Sequence, residues 1–142
     1  MTEGVFLAAL LRAVCFLSPV QQEYYSDNIV QAVHMASGID GVALCRMESR
    51  FYPRALRREP SGTSWGLFQL YDRYHKQSRW DIMTHIGTGA AFLAECKQGR
   101  TFSSAVAVFN GGPHPGPYSL EWGRKVEAER DSLALWLWRK LR

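Results

Sequence analysis

One carboxylate stands where the pattern of the chain asks for an apolar side chain. Glu48 follows Cys45 and Leu44 by three and four positions, which on a helix puts all three on one face. It also falls in the last turn, where the helix dipole disfavours negative charge. Burial and dipole push the same way, toward a carboxyl that keeps its proton near neutral pH. Such a group can serve as a general acid. Arg46 and Arg50 are each two positions away and point to roughly the opposite side, so neither is placed to neutralise Glu48 within the helix. The competing structural reading is a buried glutamate paired with an arginine from another element.

Other chemistry-bearing residues form weaker patterns. His34, His75, His85 and His114 fall into no metal-ligand spacing, so no metal is expected and each reads as a surface or core histidine. Cys15, Cys45 and Cys96 are an odd, widely spaced set without a Cys-x-x-Cys pair. Their apolar helical settings predict small buried thiols, although the count is compatible with one bridge. The run from Asn110 to Pro117, Asn-Gly-Gly-Pro-His-Pro-Gly-Pro, lacks a following Lys-Ser or Lys-Thr and is no phosphate cradle. It reads as the rim of a cleft.

The elements that must position these residues are helical in pattern. The chain has 142 residues, 46% hydrophobic and 13% aromatic, which is enough to bury the core of one domain and excludes disorder as its main state. No internal repeat or long linker divides it. One helix is expected from about Asp27 to Ala36, capped by Ser26 and stopped by Gly38, and a second from Asp40 as N-cap to about Ser49. Residues 57–64 read as a polar loop or turn, and Trp65-Gly66-Leu67-Phe68-Gln69-Leu70 as a short strand or extended turn. A further helix starts at Asp81, carries Ile82, Ile86, Ala90 and Leu93 inward and ends near Gly99. Thr101 caps the next, with Phe102, Ala105, Val106 and Phe109 as its stripe. The last runs from about Ser119 to Leu141, with Trp122, Val126, Leu133, Leu137 and Leu141 at helical spacing and Trp136 and Trp138 widening the apolar surface.

Gly4 to Leu17 is almost continuously apolar, but Glu3 and Arg12 depart from a signal-peptide pattern, and a bilayer span takes about 20 residues. Residues 1–22 therefore read first as a helix retained with the domain and second as an atypical export signal. Seventeen Lys plus Arg against thirteen Asp plus Glu leave a formal charge of +4. Without a tandem basic run or an aromatic RNA-binding signature, no nucleic-acid partner is expected, and the arginines read as a solvated face.

Three blocks change the odds for Glu48. Met47-Glu48-Ser49-Arg50-Phe51 is followed by Gly66-Leu67-Phe68-Gln69-Leu70 and then by Ala107-Val108-Phe109-Asn110-Gly111-Gly112. In this order and spacing they resemble the catalytic domain of soluble lytic transglycosylases, family 23 glycoside hydrolases, with goose-type lysozymes as cousins. The resemblance covers roughly residues 26 to 130, and its specificity lies in the combination rather than in any one block. It implies a mainly α, lysozyme-like (α+β) fold with at most a small β-hairpin, in a domain of residues 23–142. It also implies that Glu48 is the catalytic acid and base, that Ser49 lies beside the catalytic centre, and that Gln69 lines a saccharide cleft with Leu67 and Phe68 beside it. Asn110 matches the asparagine of the third block. Two positions depart from the family. Phe109 stands where a tyrosine usually precedes that asparagine, and Trp122 stands where a late-helix tyrosine is expected, with Tyr118 the candidate to supply the phenol. These three join the candidate substrate-binding residues. One or two of Trp65, Trp80, Tyr71 and Tyr74 are candidates to stack on sugar faces.

Ordinary glycosidases use two carboxyls, about 5 to 5.5 Å apart for retention or about 6.5 to 9.5 Å for inversion. Here no second acid belongs to a matching block: Glu59 falls in the polar loop, Asp72 follows the second block, and Asp81 reads as a helix cap. The resemblance implies cleavage of peptidoglycan between N-acetylmuramic acid and N-acetylglucosamine by Glu48 alone, without metal or cofactor, leaving 1,6-anhydromuramyl ends. A hydrolytic muramidase is the alternative, and a non-catalytic wall-binding or assembly component is a third reading. The implied partner is the peptidoglycan glycan strand, in the periplasm or cell wall. Small size and the lack of attached wall-binding modules also fit an accessory of an envelope-crossing secretion system or phage particle.

Overall fold

The computed structural model describes residues 9–10, 27–76 and 81–142. Most of the apolar N-terminal segment, Cys15, the Ser26 cap and Trp80 lie outside the described residues. In chain order the described elements are α1 (Asp27–Ser49), β1 (Leu56–Glu59), β2 (Gly62–Trp65), β3 (Leu70–Tyr71), α2 (Ile82–Lys97), α3 (Phe102–Gly111) and α4 (Pro117–Lys140). The architecture is mainly helical with one small antiparallel sheet, as expected.

Helix α1 is two helices end to end. Gly38 breaks it with φ 65° and ψ −164°, a backbone that side chains resist, which is the stop read from the sequence. Asp40, expected as the cap of the second half, turns its carboxylate to Lys97 Nζ at 2.6 Å and Arg130 at 3.2 Å, tying α1 to α2 and α4. Arg46 departs from the solvated face expected of it: it is 8% exposed and forms an ion pair with Glu129 of α4.

The segment from Arg57 to Ser64, expected as a loop, is most of a hairpin with Pro60 and Ser61 at its tip. β1 and β2 pair Leu56 with Trp65, Arg57 with Ser64, Arg58 with Thr63 and Glu59 with Gly62. β3 adds Ser64 opposite Tyr71 and Trp65 opposite Leu70. Every residue of β1 is exposed, so no alternation of apolar and polar side chains marked it as a strand. The sheet is anchored instead by Trp65 and Leu70, 2% and 1% exposed.

Asp81 caps α2 by accepting from the Thr84 N–H, and Thr101 caps α3 by accepting from the Ser104 N–H. Ile82, expected to point inward, is exposed because it opens the first turn of α2, ahead of the buried run that begins at His85. Helix α4 begins at Pro117, whose fixed φ suits a first turn. It lies close against α3: a Cβ on Gly123 would overlap the Ser103 carbonyl oxygen. Val30, Val33, Val42 and Leu44 of α1, Ile86 and Leu93 of α2, Phe102 and Val106 of α3, and Val126, Leu133 and Leu137 of α4 form one core, joined by Trp65, Leu67, Phe68, Leu70 and Leu10.

Candidate functional site

Helix α1 ends just beyond Glu48, where Arg50 and Phe51 take φ of 52° and 59° and turn the chain toward the hairpin. Phe51 is fully buried and holds that exit. Glu48 itself is half-buried and lines an open groove of about 580 Å³. Opposing walls come from different elements. The cross-strand row Arg57, Ser64 and Tyr71 runs along one face of the sheet, and Phe109 and Asn110 at the end of α3, Phe92 of α2 and Tyr118 of α4 complete the groove.

The partner of Glu48 is neither an arginine nor a lysine. Its Oε1 accepts a hydrogen bond from the Trp122 indole N–H at 2.8 Å, and among the described residues it makes no ion pair. Arg46, two residues earlier, is occupied by Glu129. Burial lifts the Glu48 carboxyl to about 7, against the Trp122 hydrogen bond and the Arg57 charge, which both pull it down. The same burial, and the negative charge of Glu48, push the thiol of Cys45 up; that side chain is fully enclosed. Cys45 and Cys96 are both free and buried.

The second block lies partly behind the groove. Ser49 is buried, and its hydroxyl donates to the Leu67 carbonyl at 2.8 Å, with the Cys45 carbonyl at 3.0 Å. Leu67 and Phe68 are 1% and 0% exposed and belong to the core, so their side chains do not meet a ligand in the groove. The Phe68 N–H donates to His85 Nε2 at 3.0 Å, which puts the imidazole proton on Nδ1. Burial, then the charge of His75, pushes His85 down to about 4. Gly66 makes room for that ring: its φ is +77°, and a Cβ there would stand 2.5 Å from His85 Cε1.

Gln69 does reach the groove. It holds φ 50°, and its Nε2 donates to the carbonyls of Gly66 at 3.0 Å and Ala55 at 3.2 Å, which leaves Oε1 as its acceptor. Asn110 has the opposite bias. Its Oδ1 accepts from Ser119 Oγ at 2.7 Å, leaving the Nδ2 donors. A ligand in the groove would meet the Gln69 amide as acceptor, the Asn110 amide as donor, a Glu48 carboxyl that carries its proton below about pH 7, and the side chains of Arg57, Glu59 and Arg73.

Glu48, Gln69, Phe109, Asn110 and Tyr118 are thus brought together, whereas Ser49, Leu67 and Phe68 support them from behind. Trp122 is half-buried and touches the groove through Glu48. Of the candidate stacking rings, Trp65 is core; Tyr71 and Tyr74 line the groove with centroids 5.6 Å apart. The Gly/Pro-rich run contributes Asn110, Gly111 and Gly112 to the rim. Sequence reasoning missed Arg57, Glu59, Arg73, His75 and Phe92. The i, i+2 spacing of Arg57 and Glu59 carried the signal for a shared strand face, but only once Pro60-Ser61 is read as a hairpin tip. Among the described residues no group of three His, Cys, Asp or Glu side chains is arranged to hold a metal ion, and no helix is long and apolar enough to cross a membrane.

Comparison of the chain with models of protein families, with curated proteins and with solved structures found no match.

Proposed function

We propose that this protein cleaves the β-1,4 bond between N-acetylmuramic acid and N-acetylglucosamine in peptidoglycan, with Glu48 as the single acid and base. The observation that carries this reading is a carboxyl raised to about 7, held by a neutral donor and open to a groove with amide and aromatic walls. Near neutral pH a large share of the molecules carry the proton that glycosidic cleavage needs. Glu48 gives that proton to the glycosidic oxygen as the C1–O bond breaks, and the muramyl N-acetyl oxygen closes on C1. The Glu48 carboxylate then takes the proton of the C6 hydroxyl while O6 attacks C1 and displaces the acetamido oxygen. The product is a 1,6-anhydromuramyl end, and Glu48 is protonated again.

A hydrolytic outcome is the second reading, and Glu59 is the observation in its favour. This carboxylate lines the same groove and could activate water, although Arg57 engages it at 3.2 Å. Mass spectra of muropeptides released from purified sacculi separate the outcomes. Anhydro ends support the transglycosylase and reducing ends the muramidase. Protein that sediments with sacculi and releases nothing supports a binding component instead.

A further inference from the structure

We infer that Trp122 is the positioning residue of the reaction, fixing Glu48 Oε2 as the oxygen that both gives and recovers the proton. The inference rests on the acid and base role proposed for Glu48. It starts from the 2.8 Å bond between the indole Nε1–H and Glu48 Oε1. An indole N–H only donates, so Oε1 must accept in every protonation state. In a neutral carboxyl the carbonyl oxygen is the better acceptor, which leaves the O–H on Oε2. Once the proton has gone, the bond to Oε1 becomes charge-assisted and shortens, and Oε2 is again the free oxygen. A tyrosine in this place could turn its hydroxyl to donate or accept. Tryptophan removes that freedom.

The indole is well placed to impose this. Gly123, the next residue, lets α4 lie against the Ser103 carbonyl of α3. The Arg46 to Glu129 pair then fastens α4 to the same turn of α1 that carries Glu48. The titratable and charged groups beside Glu48 or on the walls of its groove are Cys45 on its own helix, Arg57 and Glu59 on β1, Tyr71 on β3, Arg73, Tyr74 and His75 beyond it, and Tyr118 of α4. None of them is hydrogen-bonded to Glu48 Oε1.

The test replaces the donor and keeps the ring. Trp122→Phe, and incorporation at position 122 of 3-benzothienylalanine, which has sulfur in place of the indole N–H, are compared with Trp122→Tyr in the full chain. The Glu48 carboxyl is titrated by carbon-13 NMR, and fragment release from sacculi is measured alongside. In the two variants lacking a donor, the midpoint rises by about one pH unit, the size expected for a lost hydrogen bond to a charged group. In the same two variants kcat falls at least about tenfold at unchanged KM. Trp122→Tyr restores the midpoint. A midpoint that stays put or falls in the benzothienyl variant, which preserves the fold, overturns the role of Trp122. Absence of fragment release by the unaltered protein overturns the reaction instead, and the titration still decides whether the indole governs Glu48.

Discussion

Glu48 and His85 are both ionisable side chains whose neutral form burial favours, and the turn from Gly66 to Gln69 lies between them. On one side Ser49, next to Glu48, bonds the Leu67 carbonyl; on the other the Phe68 N–H bonds His85. Yet His85 is sealed, 2% exposed, its ring 4.6 Å from that of Trp65 and its Nε2 already occupied. Glu48 has one oxygen held by Trp122 and lines a groove large enough for a ligand. Burial alone moves a pKa, but chemistry also needs a space in which a substrate can meet the proton. By this criterion His85 is a structural acceptor and Glu48 a candidate acid.

The largest effect expected from breaking this contrast is at Glu48. Glu48→Gln keeps an oxygen for the Trp122 N–H and loses the proton, so fragment release from sacculi should fall by a factor of about 100 to 10,000. Stability should move the other way. The carboxyl is raised from 4.5 to about 7 in the fold, so its neutral form contributes stability below pH 4.5 that is lost as pH rises through 7. In urea unfolding, Glu48→Gln should match the unaltered protein near pH 4 and exceed it by up to about 3 kcal/mol at pH 8.

The sealed side should respond in its fold rather than its chemistry. Gly66→Ala drives a Cβ into the His85 ring at a left-handed backbone, and a loss of about 3 kcal/mol, read as a lower denaturation midpoint, is expected. Acid should act on the same contact. His85 is depressed from 6.5 to about 4, so its contribution is complete above pH 6.5 and lost as pH falls through 4, about 3 kcal/mol in all. Because Glu48 has the opposite sign over much of that window, the His85 effect is best measured in the Glu48→Gln protein. Ser49→Ala should cost least, about 1 kcal/mol for the lost bond to the Leu67 carbonyl, and should leave the pH dependence of activity unchanged.

Much of this arrangement was legible in the chain. Gly38, Asp81 and Thr101 announced their helix boundaries because a left-handed glycine and side-chain caps are local effects. Glu48 was legible as a charge on an apolar face, and Gln69 and Asn110 as members of spaced blocks. The hairpin was not, since an exposed strand carries no burial pattern and its ladder depends on residues several positions away. Nor was the separation of Gln69, which faces the groove, from Leu67 and Phe68, which do not: that follows from the positive φ of Gly66 and Gln69 and from the bond to His85. Trp122 stood out only through the resemblance, at a position where that resemblance leads one to expect tyrosine. Its bond to Glu48 emerges only from the packing of α4 on α1.

The most direct test of the account is the pH profile of fragment release by the unaltered protein, set beside the NMR midpoint of Glu48 in the same sample. A working acid raised to about 7 predicts a rate that is flat on the acidic side, as far as the fold persists, and falls tenfold per pH unit above that midpoint. A rate that keeps rising through pH 8, or breaks at a pH unrelated to the Glu48 midpoint, would contradict it.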